Sequence, residues 1–220
     1  MGMGNLMILS QITGYVFGVI FSLFIFPPIA ASQSKFNGHC ILFSYGIKNT
    51  TTDTYIVDNW SDGSQCGFAI FVGVWLMGIS LWQAIRLSFH AVNGTDSSFL
   101  MTCITGLFTM LMSVMLLASA ITVTDGYNMW CHRIKEQTGE ICEFAGYAVN
   151  FFADKNIDPK GFNIDWGVAK FGLWCGWIVY TILVCFSLAK LFKLHKQENI
   201  LRSLSRERQR LLGHYEQPDI

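Results

Sequence analysis

The feature that most constrains this chain is where its charges are missing. No Asp, Glu, Lys or Arg occurs from Met1 to Ser34, from Cys66 to Ile85, from Ser97 to Thr124, or from Phe171 to Ala189. A helix rising 1.5 Å per residue needs about 20 mostly apolar residues to cross a hydrocarbon core of ~30 Å. Each stretch has that length or nearly so, and none carries the polar stripe of a core helix in a soluble protein. The expected fold is therefore all-α, a bundle of four transmembrane helices with two external loops stapled by disulfides. The expected segments are a short N-terminus (1–6), spans at 7–29, 67–90, 99–122 and 166–192, external loops at 30–66 and 123–165, an inner turn at 91–98, and a tail at 193–220. Pro27-Pro28 is expected to end the first span, because proline cannot continue the helical hydrogen-bond ladder. A signal peptide is the rival for that stretch, with Ala30-Ala31-Ser32 as its cleavage site. No positively charged region precedes it, however, and it exceeds the apolar core of about 7–15 residues of such peptides, so an uncleaved span is expected.

Charge sets the orientation. The side holding the 91–98 turn and the tail carries eight Lys/Arg against five Asp/Glu, a net of +3; the other side carries seven against ten, a net of −3. Lys190, Lys193 and Lys196 crowd the end of span four, so the positive-inside rule places both termini in the cytosol. The expected address is the plasma membrane or secretory and endosomal vesicles. Asn49-Thr50-Thr51 and Asn59-Trp60-Ser61 are glycosylation sequons in the first external loop, whereas Asn93-Gly94-Thr95 lies on the cytosolic side and stays bare.

Seven cysteines divide by position. Cys103, Cys175 and Cys185 fall within spans and read as small buried hydrophobes. Cys40, Cys66, Cys131 and Cys142 fall in the external loops, where oxidation favours disulfides. The within-loop pairs Cys40–Cys66 and Cys131–Cys142 are expected, each ordering a loop that lacks a core of its own and acting independently of the other if the loops share few contacts. Cross-loop pairing is the rival connectivity, and a zinc site built from His39-Cys40 and Cys131-His132 the rival chemistry.

Small residues recur at helical spacing, with Gly14 and Gly18 in span one and Gly172 and Gly176 in span four. Lipid provides no hydrophobic drive for helix association, so flat faces let backbones approach closely. Packing inside the bundle is the preferred reading; a dimerising or partner-binding face is the other. Trp166, Trp174 and Trp177 read as interfacial anchors, and Lys170 as a cation snorkelling outward toward Asp165.

No Walker loop, HExxH, GxSxG or acidic metal cluster is present, and the deep parts of the spans hold no ionisable residue of the kind pumps use. No enzymatic activity, cofactor, metal or nucleic-acid partner is expected; the partners expected are the lipid bilayer and a membrane protein of unknown identity. In the tail, Glu207-Arg208-Gln209-Arg210-Leu211-Leu212 fits an acidic dileucine sorting motif for clathrin adaptors, with Glu207, Leu211 and Leu212 as its determinants. The same segment also reads as an amphipathic helix lying on anionic lipid.

Several strings then point to one family. Phe36-Asn37-Gly38-His39-Cys40-Ile41-Leu42-Phe43, Asn128-Met129-Trp130-Cys131, Ala169-Lys170-Phe171-Gly172-Leu173-Trp174-Cys175-Gly176-Trp177 and the tail around Leu201–Leu212 resemble the transmembrane protein 179 family over nearly the whole chain. The resemblance implies a multi-pass membrane protein of animals, often neural, with no established enzymatic activity and no site residues to carry over. Claudin-like tetraspans share the architecture, but their Gly-Leu-Trp followed by two cysteines is absent from the first loop, so a tight-junction role is not implied. The function expected is a non-catalytic organiser: an accessory subunit of a receptor or channel, or a vesicle-trafficking factor. An oligomeric pore or transporter lined with Ser, Thr and Gln, and a cell-adhesion tetraspan, are the alternatives.

Overall fold

The computed structural model describes residues 3–49, 54–93, 99–139, 142, 152 and 157–215, with side chains described from residue 8 to residue 210. Most of the 91–98 turn, the middle of the second loop, and the side chains of Leu211 and Leu212 lie outside the described residues. Four long helices, α1 (Met3–Lys35), α2 (Ser64–Asn93), α3 (Phe99–Thr138) and α4 (Phe162–Tyr215), each contain a window apolar and long enough to cross a membrane. Between α1 and α2 the chain forms an antiparallel hairpin, β1 (Cys40–Asn49) and β2 (Thr54–Ser61).

The helices outrun the expected spans. α1 continues through Pro27 and Pro28 to Lys35, so the prolines do not end it. They remove two backbone donors, and an interior proline ordinarily costs about 3 kcal/mol or more. Burial beyond them offsets this, because Ile29, Ser32 and Phe36 are fully enclosed. The Trp166 indole N–H also donates to Ser32 Oγ at 2.8 Å, and Lys35 pairs with Asp165 at the start of α4. The helix stops one residue later in a Schellman cap. The Gly38 N–H reaches Gln33 O at 2.7 Å, the Asn37 N–H reaches Ser34 O at 3.3 Å, and Asn37 (φ 53°) sits in the left-handed region that Asn and Gly tolerate.

α3 likewise runs well past residue 122, so Cys131 lies on a helix and not in an irregular loop. Gly139 (φ 72°) closes it, its N–H bonding Lys135 O at 2.9 Å. α4 is one helix of 54 residues. At 1.5 Å per residue, the part beyond Phe192 measures about 35 Å. The tail is therefore helical and continuous with span four.

Inside the bundle, the small residues lie at helix crossings. A Cβ at Gly172 would stand 2.9 Å from Phe24 Cβ and 3.2 Å from Phe21 O; one at Gly18 would collide with Ser80 Oγ; one at Gly14 would stand 2.7 Å from Leu183. Gly176 is looser, with nothing nearer than 3.8 Å. Polar groups pair across helices: Tyr15 with Thr109 (3.2 Å), Ser80 with Tyr180 (2.8 Å) and Ser113 with Thr181 (3.2 Å). Such bonds satisfy hydroxyls that lipid cannot.

Candidate functional site

Two places concentrate chemistry: the head formed where the long loops meet one end of the bundle and a small polar pocket at the other end, which bears the tail.

The head is a single packed unit. Disulfides join Cys40 to Cys66 and Cys131 to Cys142, the within-loop pairing. The first fixes the start of β1 to the start of α2; the second folds the chain after α3 back onto that helix. The hairpin then packs on α3 at Gly126, where a Cβ would meet Leu42 and Phe43 within 2.9 Å. To make that approach β1 breaks its ladder between Cys40 and Tyr45, and Phe43 takes φ 62°. Ser44 restores the lost bonds. Its Oγ donates to Cys40 O and accepts the Ser61 N–H, both at 2.8 Å, which is how a bulge is held without orphaned backbone groups.

Aromatic rings join the two loops. Tyr55 of β2 meets Trp130 of α3 edge-on at 6.0 Å, Phe152 stacks on Trp130 at 6.4 Å, and Phe36 lies edge-on to Phe152 and Phe162 at 5.8 Å each. Burial of this cluster pushes the Tyr55 phenol above its ordinary range. Tyr127 donates to Asn163 Oδ1 at 2.7 Å, and Asn163 donates in turn to Cys142 O at 3.4 Å, tying the second disulfide to α4. The expectation that each loop lacks a core and stands alone is thus corrected: the loops share one aromatic core.

Several side chains differ from their sequence reading for the same reason. Trp166 is enclosed in the core and is not an interfacial anchor, while Trp174 is exposed and donates to Thr124 Oγ1 at 3.2 Å. Lys170 does not reach Asp165, which is engaged by Lys35; its ammonium sits 4.0 Å from the centre of the Tyr127 ring, a cation–π contact. Cys40 and Cys131 are held in separate disulfides, His39 stacks on Trp60 at 4.7 Å and His132 lies 4.0 Å from Glu136, so these four residues do not converge. Cys103 and Cys175 are half-buried and Cys185 is exposed on α4; none is enclosed as expected.

The hairpin presents a distinct outer face. Ile47 and Ile56 are directly opposed across the strands, and Tyr45 lies two residues from Ile47 on the same side. They are 56%, 40% and 47% exposed. Asn59, the second sequon asparagine, is exposed and reaches the Tyr45 hydroxyl at 3.5 Å; Asn49 closes β1, with Thr50 and Thr51 outside the described residues. The alternation of Tyr45 and Ile47 and the aromatic and β-branched run Tyr55-Ile56-Val57 are a strand signal available in the sequence and absent from a purely helical reading.

At the end of the bundle that bears the tail, Gln11 and Tyr15 of α1, Arg86 and Leu87 of α2, Thr102 and Thr105 of α3, and Ser187 and Lys190 of α4 line a small open pocket of about 20 Å³. Arg86 Nη1 donates to Thr105 Oγ1 at 2.9 Å, and Thr105 donates to Met101 O at 2.9 Å. In the tail, Glu207 pairs with Arg210 at 3.6 Å, and Ile200, Leu201 and Leu204 are exposed.

No solved structure matches the chain. The family described as the transmembrane protein 179/179B claudin domain matches residues 7–212, which include all four spans and both disulfides. This chain belongs to the transmembrane protein 179/179B claudin-domain family, as a claudin-like multi-pass membrane protein.

Proposed function

We propose that this protein is a non-catalytic organiser that uses its disulfide-locked outer head to dock a membrane-protein partner, as an accessory subunit of a receptor or channel. One observation carries the reading: the cross-strand pair Ile47–Ile56, with Tyr45 beside it, is an exposed apolar patch on the hairpin between α1 and α2. Exposed apolar residues along the spans are suited to lipid; on a hairpin between spans, clustered apolar exposure favours association. The head is braced from both loops, so docking orders little and the entropic cost of association is reduced. The hydroxyl pairs between helices support the same reading, since they engage interior polar groups in holding the bundle together.

The test compares wild type with the Ile47→Ser, Ile56→Ser double variant, tagged and purified in mild detergent from cells that express the protein. A membrane protein recovered in stoichiometric amounts with wild type and lost from the variant supports the reading, provided the variant keeps both disulfides. Equal recovery with both forms contradicts it. A role in vesicle trafficking rests on the tail, whose helix is continuous with span four and carries Glu207; adaptor engagement there is the second reading.

A further inference from the structure

The hairpin sets a sequon asparagine directly against an aromatic ring. Across its strands Tyr45 is opposed to Asn59, Ile47 to Ile56 and Asn49 to Thr54. Directly opposed side chains stand on one side of a sheet, with Cβ atoms about 4.5–5.5 Å apart. Tyr45 and Asn59 are both exposed, and Asn59 Nδ2 lies 3.5 Å from the Tyr45 hydroxyl. The pair is fixed from beneath, because Ser44 Oγ bridges Cys40 O and the Ser61 N–H across the irregular stretch of the ladder. Ser61 is the third residue of the same sequon, and its own hydroxyl donates outward to Asp62 O at 3.4 Å. The other sequon asparagine, Asn49, is opposed to a threonine and not to a ring.

We propose that Asn59 carries an N-linked glycan whose first N-acetylglucosamine packs on the Tyr45 ring, so that the sugar becomes part of the hairpin's outer face. The proposal rests on the reading of the head as external. In the transfer, Asn59 Nδ2 bonds to C1 of a sugar delivered on a lipid pyrophosphate. The glycosyl–phosphate bond breaks and one amide proton leaves. The second amide N–H remains and keeps its contact with the Tyr45 hydroxyl. The first sugar is thereby tethered at the edge of the ring. One face of a pyranose presents C–H groups, which suit the electron-rich face of an aromatic ring. Tyr45 gives that surface at little entropic cost, since its strand is already held by the first disulfide and by Ser44. The sugar covers the Tyr45 end of the apolar patch and leaves the Ile47–Ile56 pair to a partner. Asn49 lacks a ring opposite it, so a glycan there gains no such support.

Thermal unfolding of the full-length protein, expressed in animal cells and purified in mild detergent, tests this. Ser61→Ala removes the sequon while keeping Asn59, so it separates loss of the sugar from loss of the Asn59–Tyr45 bond. We expect Ser61→Ala to lose one glycan on a gel and about 2–4 °C of Tm, the shift that one such ring contact gives a chain of this length. Tyr45→Ala should cost less in the Ser61→Ala protein than in wild type by the same amount, whereas Tyr45→Phe, which keeps the ring, should leave the sugar's contribution intact. Trimming the wild-type glycans to their first sugar should leave Tm unchanged, and Asn49→Gln should not alter the effect of Tyr45→Ala. If Tyr45→Ala fails to fold, trimming decides: a trimmed wild type that melts with Ser61→Ala overturns the proposal. A glycan at Asn49 alone, or one at Asn59 whose effect simply adds to that of Tyr45→Ala, overturns the proposal and leaves the head external. Absence of glycan from both asparagines overturns the external reading with it.

Discussion

A glycine in a helix means different things depending on what faces it. Gly172 and Gly176 form one GxxxG step, yet only Gly172 lies hard against a neighbour, with Phe24 Cβ and the Phe21 carbonyl of α1 close enough to exclude a methyl group. Gly172→Ala must push α1 away and is expected to cost about 1–3 kcal/mol, as overpacking does. Gly176→Ala enters ordinary contact distance and is expected to stay within about 0.5 kcal/mol of wild type. Gly78→Ala, which meets nothing within 4 Å, is the matched control. Thermal unfolding of the detergent-solubilised variants reads the difference; equal shifts at 172 and 176 would show that α1 and α4 do not cross as described. Lys170 makes the complementary point. Its sequence position next to a span boundary suggests a snorkelling cation, but only the fold brings the Tyr127 ring beneath it.

At the scale of elements, the disulfides act through the core they share. Trp130 precedes Cys131 and contacts Tyr55 of the hairpin held by Cys40–Cys66, so loosening one loop removes a wall of the other. Cys40→Ser and Cys131→Ser are each expected to destabilise the head. The double variant should lose less than the sum, with a coupling of about 0.5–3 kcal/mol, read by unfolding of the four proteins of the cycle. Strict additivity would mean that the loops are independent after all. Four spans and the oxidised set of cysteines were legible from charge-free stretches and loop positions; the within-loop pairing was the preferred of the connectivities those positions left open, and the fold supplies it. The continuation of α1 past Pro27-Pro28 was not, because local propensity opposes it and burial of Ile29 and Phe36 against distant elements overrides it. The hairpin left a period-two trace, but its bulge at Phe43 is set by the approach to Gly126, more than 80 residues away. The tail supplies another test. If Glu207 and the leucines serve sorting, Leu211→Ala with Leu212→Ala raises the surface-biotinylated fraction and Glu207→Ala raises it in part. An unchanged surface fraction in both variants removes support for adaptor engagement.

For the whole molecule, charge and geometry distinguish the two ends: a braced, net-negative head and a net-positive end from which α4 continues as a long helix. If the head is external, an enzyme that removes N-glycans shifts the protein on a gel, and the shift disappears in the Asn49→Gln, Asn59→Gln variant. Modification at Asn93 would reverse the orientation. The reading of the head as a docking face is tested most directly by placing a photo-crosslinking amino acid at position 47 in the full-length protein and illuminating intact cells. We expect a discrete protein-sized adduct from position 47 and none from position 81, where Leu81 is exposed on α2 within the span. Adducts at 81 but not at 47, or at neither, would contradict the account.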